Sequence, residues 1–213
     1  ADVAVVGPVD LDHTELLGGT AAAIATEKLG IVKDGSHVVT AAQTPEVMAL
    51  VEAAAARADR GLTVVGRDVR VLGRGPAPGG QVVDLDVHGR RLEGLLLPLH
   101  GEHQAGNLAA AFGAVAALLG PSLDRVDDAV LREAIARVRV PGRLEVVGAG
   151  PAVVLDGAHN PHAAAAVAAG VAELGYRDVV LLLGILAEKD VAGVCAALAG
   201  VASHVVVAPA PSP

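Results

Sequence analysis

Aromatic side chains are almost missing from this 213-residue chain: it has one Phe, one Tyr and no Trp. Binding by aromatic stacking, as in many single-strand nucleic-acid modules, is thereby nearly excluded. Any core must be built from Val, Leu, Ile and Ala. Cysteine occurs once, as Cys195, which rules out an internal disulfide framework and a multi-cysteine metal site. Its Val and Ala surroundings predict a buried structural thiol. Positive charge is short too, and a formal net charge of −8 speaks against a phosphate-backbone partner. Lysine is the scarcest cation. Of 16 basic residues only Lys28, Lys33 and Lys189 are lysines, so arginine serves wherever plain charge suffices. A lysine kept against that bias points to a need for its amine, which an always-charged guanidinium cannot supply.

The chain opens Ala-Asp-Val, with no initiator Met and no signal peptide, and ends Pro-Ala-Pro-Ser-Pro after a strand-like run. Both ends are expected to be cut from a longer, cytoplasmic protein. Two uncharged stretches, 104–123 and 191–213, reach membrane-spanning length. Both are Ala/Gly-rich and carry Pro, Asn or His, and the second divides into a helix and a strand. Neither is expected to cross a membrane.

What the chain does have is apolar residues in alternating short runs. With 53% hydrophobic and 19% charged residues it can bury a core. Strands are predicted at 3–6, 38–40, 62–65, 144–147, 152–155, 179–183 and 205–208. Helices are predicted after Gly18-Gly19-Thr20 (stopping at Gly30), at 45–57, 106–119 and 127–138, from Pro161 and from Val191. Between 68 and 97, Gly/Pro clusters and strict alternation predict an antiparallel ribbon. Strands alternating with helices imply an α/β fold with parallel sheets. Val140-Pro141-Gly142 reads as a linker between two α/β units, 1–140 and 141–213. There is no internal repeat, no Gly-x-x-x-x-Gly-Lys loop, and no Gly-x-Gly-x-x-Gly after a strand.

Asp156-Gly157-Ala158-His159-Asn160-Pro161 is the most informative segment. Asn160 is a good N-cap and Pro161 suits the first helical position. Asp156 and His159 therefore sit in a strand-to-helix loop, at the carboxyl end of a strand where α/β sheets bind ligands. Other groups are equivocal one by one. In Leu11-Asp12-His13-Thr14-Glu15-Leu16-Leu17-Gly18, His13 can ligate a metal or contact phosphate; a capping Asp with a solvent-facing His is the alternative. In Glu27-Lys28-Leu29-Gly30-Ile31, Lys28 is either a helix C-terminal cation or a buried amine of lowered pKa. A neutral amine takes up CO2 to give a carbamate, whose oxygens suit Mg2+. In His100-Gly101-Glu102-His103-Gln104-Ala105-Gly106-Asn107 the two histidines lack a third metal ligand, so a loop and helix cap is expected. Asn107 can instead meet a nucleobase edge. Arg143 of Pro141-Gly142-Arg143 can swing onto a phosphate or be a surface Arg on a turn. Lys189, beside Asp190 after the 179–183 strand, can hold a carboxylate or be a solvated loop lysine.

Taken in order, these motifs resemble the folylpolyglutamate synthase/dihydrofolate synthase family, the folate branch of the Mur ligase superfamily. The resemblance runs from Val3 to Pro213. It implies the later part of a P-loop-type Mur ligase ATPase domain (1–140), followed by part of a Rossmann-like, glutamate-binding Mur ligase C-terminal domain (141–213). It implies an ATP- and Mg2+-dependent amide ligase, acting as a monomer on L-glutamate and dihydropteroate or a folate glutamate tail through an acyl phosphate. By the resemblance His13 is a Mg2+ ligand and Lys28 the carbamylated lysine. Asn107 would contact adenine, Asp156 the ribose and Arg143 the phosphates. His159 would lie near the phosphates and reacting carboxyl, and Lys189 and Asp190 near the incoming glutamate. The family's P-loop and a metal-binding glutamate would lie before residue 1, so the chain alone is expected to be inactive, with exposed apolar edges on its first sheet. A peptidoglycan amino-acid ligase and a non-catalytic two-lobed nucleotide-binding module are the alternatives. A hydrolase is disfavoured, because no nucleophile elbow is present.

Overall fold

The computed structural model describes residues 1–9, 20–148 and 150–210. The chain divides into two compact units, the first taking residues 1–77, 81–98 and 104–138, the second 78–80, 99–103 and 139–213.

In the first unit three short apolar runs, β1 (Val3–Val6), β2 (His37–Thr40) and β3 (Leu62–Val64), pair in parallel in that order. Helices α1 (Ala21–Lys28) and α2 (Pro45–Ala58) connect them, the crossover that parallel pairing needs. Each helix starts at a threonine whose hydroxyl accepts a backbone N–H: Thr20 from Ala23 at 3.2 Å and Thr44 from Val47 at 3.4 Å. α1 ends in a 3₁₀ turn, Leu29–Ile31, at the expected Gly30. Val38 and Val39 are both fully buried, on opposite faces, because strand side chains alternate. Val38 joins Val6, Ile24, Val47, Val51 and Ala54 in one core. Val39 meets α3 (Glu102–Leu119) on the other side. A Cβ on Gly113 would lie 3.1 Å from Val39 and 3.2 Å from Thr63, so this glycine lets the helix backbone settle on the sheet. The apolar stretch of membrane-spanning length is thus a helix with Leu108, Ala109 and Phe112 buried.

The predicted ribbon is a three-stranded sheet in the order β4 (Val69–Ala77), β5 (Gly80–Val87), β6 (Arg90–Leu97). β5 and β6 pair antiparallel around His88 and Gly89, at φ 51° and 92°, the left-handed pair that tight hairpins favour. Asp86 accepts the Gly89 N–H at 2.8 Å and faces Arg70 at 2.9 Å; together they hold its carboxyl below the usual range. Helix α4 (Asp128–Ala136) is capped by Asp127. Arg90 ties it to β6 through Leu123 O at 2.6 Å, Val126 O at 2.8 Å and the Asp128 carboxylate.

Among the described residues the second unit holds two separate two-stranded sheets, and their pairing corrects an expectation. The 152–155 run does not join a parallel sheet: β8 (Val154–Leu155) pairs antiparallel with β7 (Glu145–Val146), Glu145 opposite Leu155. Runs adjacent in the chain can pair as a hairpin with no crossover helix, and no helix separates these two. The parallel pair is β9 (Val180–Leu183) with β10 (His204–Val207). Helices α5 (Pro161–Leu174) and α6 (Val191–Leu198) cover one face of it, where Ala164, Val194 and Leu198 pack with Leu181 and Leu183. Leu182 at 70% and Val207 at 77% exposure leave apolar surface bare here, and on the first sheet Val5 of the edge strand β1 is 43% exposed. Cys195 is exposed, contrary to expectation. Val194 and Leu198, one turn apart, take the buried face of α6, and Cys195 is rotated about 100° from Val194.

Candidate active site

Asp156 organises the second unit's loops. Its Oδ2 accepts the Leu144 N–H at 2.8 Å and its Oδ1 the Ala158 N–H at 2.7 Å. Gly157 N–H reaches Gly142 O at 3.0 Å, and Glu145 Oε2 accepts the Gly142 N–H at 2.9 Å. The 141–144 turn and the 156–160 loop are thereby one body. The Arg143 guanidinium lies over Gly157, where a Cβ would come within 2.7 Å of Nη1, so a side chain at 157 would displace it. His159 Nδ1 lies 3.1 Å from Gly157 O. Asn160 caps α5 as expected, accepting the Ala163 N–H at 2.8 Å, with Pro161 next in line.

The first turns of α5 and α6 abut, since a Cβ on Gly193 would sit 2.6 Å from the Pro161 ring. This contact brings the 156–160 loop beside Lys189 and Asp190. Asp190 caps α6, accepting the Gly193 N–H at 2.8 Å. Arg143, Asp156, His159, Lys189 and Asp190 therefore share one end of this unit, where two helix N-termini favour anions.

The other candidates lie in the first unit. The loop expected over residues 100–107 is corrected: α3 already begins at Glu102. Gly101, at φ 90°, is the break, and Gly106 has open space around it inside the helix. Asn107 is exposed one turn after buried Gln104, and donates to its Oε1 at 3.1 Å. Lys28 closes α1 as expected, and among the described residues its side chain is exposed. His13 lies outside the described residues. Among the described residues no group of three or more His, Cys, Asp or Glu gathers that could hold a metal. The described residues alone therefore do not build a Mg2+ site.

Sequence reasoning missed Gln104 as the partner of Asn107, although their i, i+3 spacing is a usable signal. It also missed Glu145 and Leu144, whose roles depend on a turn geometry with no periodic signature.

His100 and His103, at the start of this site's sequence block, have pKa values lowered from about 6.5. Burial is the cause for His100 and the largest cause for His103, where Arg143 and His162 add to it and Asp156 and Glu173 oppose it. The unfolded chain therefore takes up these protons first as pH falls through 6.5, and stability drops. Denaturant midpoints are expected to fall between pH 7.5 and 5.5, and less steeply in His100→Asn/His103→Asn. An equal slope in that variant would assign the loss to other groups. Asp68 and Asp86, lowered from 3.8, act only in a more acidic window.

Residues 142–213 match the family described as Mur ligase, glutamate ligase domain. The chain is 41% identical to the dihydrofolate synthase/folylpolyglutamate synthase of Mycobacterium tuberculosis, over 97% of its own length and 44% of that protein. It superposes on M. tuberculosis folylpolyglutamate synthase complexed with ADP at a TM-score of 0.94 and 40% identity, covering 100% of this chain and 48% of that one. An FPGS–AMPPCP–folate complex follows at 0.92 and 32%, covering 99% and 51%. The chain spans about half the length of the curated relatives it matches. The matched ligase domain coincides with the loops that Asp156 ties together, and the likeness extends through the first unit: the chain belongs to the folylpolyglutamate synthase/dihydrofolate synthase family of Mur-type ligases.

Proposed function

We propose that the full-length protein carrying this chain is an ATP-dependent ligase. It adds L-glutamate to dihydropteroate, to folate glutamate tails, or to both, as a cytoplasmic monomer without nucleic-acid or membrane partners. Residues 1–140 supply part of its ATPase domain and 141–213 part of its glutamate-ligase domain. The observation that carries this reading is the packing of Arg143 on Gly157 in the loop held by Asp156, at the end of the unit where the N-termini of α5 and α6 abut.

The chemistry asked of these residues is positioning and charge neutralisation. The acceptor's carboxylate takes the γ-phosphoryl group, and the glutamate amine then displaces phosphate to leave an amide. Arg143, exposed and backed by Gly157, fits a phosphate oxygen. A carboxylate has about four acceptor sites, so Asp156 can receive a ribose hydroxyl besides its two backbone N–H groups. The Asn107 amide, steadied by Gln104, suits an adenine edge, which offers both a donor and an acceptor. His159 stands near the phosphates and the reacting carboxyl, and Lys189 and Asp190 meet the incoming glutamate. Mg2+ would be held by His13 and by Lys28 as its carbamate, and would supply charge neutralisation at the phosphates.

The test is phosphate release by the full-length protein with ATP, L-glutamate, Mg2+ and bicarbonate, and either dihydropteroate or tetrahydrofolate. Turnover with a pterin acceptor is expected, and none from the 213-residue chain alone. A folded protein inert with both acceptors would favour a peptidoglycan-type amino-acid ligase or a non-catalytic nucleotide-binding module.

A further inference from the structure

Arg143 is exposed, but the residue after it is not. Leu144 is fully buried and sits at φ 46°, a backbone region that non-glycine residues rarely occupy. Its N–H is held by Asp156 Oδ2 at 2.8 Å. Its side chain is seated between two glycines. A Cβ on Gly101 would lie 3.1 Å from Leu144 Cδ1. A Cβ on Gly170 would clash with the same atom, with Cγ and Cδ2 both 3.5 Å away. Gly170 is otherwise out of place. α5 reads Pro-His-Ala-Ala-Ala-Ala-Val-Ala-Ala-Gly-Val-Ala-Glu-Leu, and a glycine in the middle of such an alanine-rich helix weakens it. The packing explains it: Leu144 occupies the space a side chain at 170 would need.

We propose that Leu144 is a positioning residue for Arg143. Locked in the Gly101/Gly170 socket, it holds the 141–144 turn in its left-handed conformation and so keeps the guanidinium over Gly157. Strained conformations of this kind persist only where the surroundings over-determine them, and here a carboxylate and two glycines do so. Gly170, which touches no proposed ligand, becomes a determinant of nucleotide affinity through Leu144. This rests on the nucleotide-phosphate reading of Arg143.

The test uses Gly170→Ala, Arg143→Ala and the double variant of the full-length protein, with two readouts. One is the AMPPCP dissociation constant by calorimetry. The other is the rate of native-state tryptic cleavage after Arg143, which needs no ligand. Gly170→Ala is expected to weaken AMPPCP binding about tenfold, the low end for a lost hydrogen bond to a charged group. In the Arg143→Ala background it should cost nothing further, because both changes remove one interaction. Cleavage after Arg143 should accelerate in Gly170→Ala. Wild-type affinity in folded Gly170→Ala, or an equal loss in both backgrounds, overturns the proposal. Should Gly170→Ala fail to fold, Leu144→Ala empties the socket instead of overfilling it and is read by the same criteria. If Arg143→Ala binds AMPPCP like wild type, the phosphate reading fails, and the cleavage rate alone decides the lock: acceleration supports it and no change overturns it.

Discussion

Lys28→Gln in the full-length protein is expected to cut glutamate ligation by about 100- to 1,000-fold in kcat, the scale for removing one preorganised electrostatic group. AMPPCP affinity and folding should change little. As a cation at the end of α1, Lys28 is worth below about 1 kcal/mol through the helix dipole. Gln removes that contribution and nothing else from the helix. Lys28→Arg separates the two roles. It keeps the charge at the helix terminus, so an electrostatic cap would be fully restored. A guanidinium forms no carbamate, so under the proposed role Lys28→Arg is as inactive as Lys28→Gln. Carbamate formation consumes CO2, so under the proposed role activity should fall when CO2 and bicarbonate are stripped from the buffer. Near-wild-type kcat in Lys28→Arg would reduce Lys28 to a helix cap.

Much of this fold was legible because local chemistry announced it. Asn160 caps its helix as read from the sequence, and Thr20, Thr44, Asp127 and Asp190 cap theirs in the same way. The β5–β6 hairpin was legible from alternation. The failures share a physical cause. β7 and β8 contain two residues each, too few for any period to show. α6 is apolar all round, so its sequence could not tell the face of Val194 from that of Cys195. Gly106 imitates a helix boundary, while the real one is set by the positive φ of Gly101. In the site, the ligand-facing candidates form a readable linear motif. The residues that aim them do not, because the bonds from Glu145 to Gly142 N–H and from Asp156 to Leu144 N–H exist only once the turn is formed.

Asp156→Asn probes that difference, and its effect should exceed the loss of a ribose contact. Both carboxylate oxygens accept backbone N–H groups, at 2.8 and 2.7 Å. An amide keeps one acceptor oxygen and turns its NH2 toward the other N–H, donor against donor. Leaving such a donor unsatisfied costs about 1–3 kcal/mol, and it falls on either Leu144 or Ala158. If the Leu144 bond yields, the turn loosens and Arg143 with it. Nucleotide binding should weaken by about 10- to 100-fold, the scale of a lost charge-assisted bond. The comparison of ATP with its 2′,3′-dideoxy analogue identifies the cause. A residue acting only on the ribose would leave the affinity for the dideoxy analogue untouched when replaced. A residue that builds the turn lowers both affinities together and lowers the denaturant midpoint as well. Asp156→Glu sharpens the contrast, since it keeps the charge but its longer side chain cannot span both N–H groups in the same geometry. It should behave like Asp156→Asn. Unchanged dideoxy binding and an unchanged midpoint in both variants would leave Asp156 with the ribose alone.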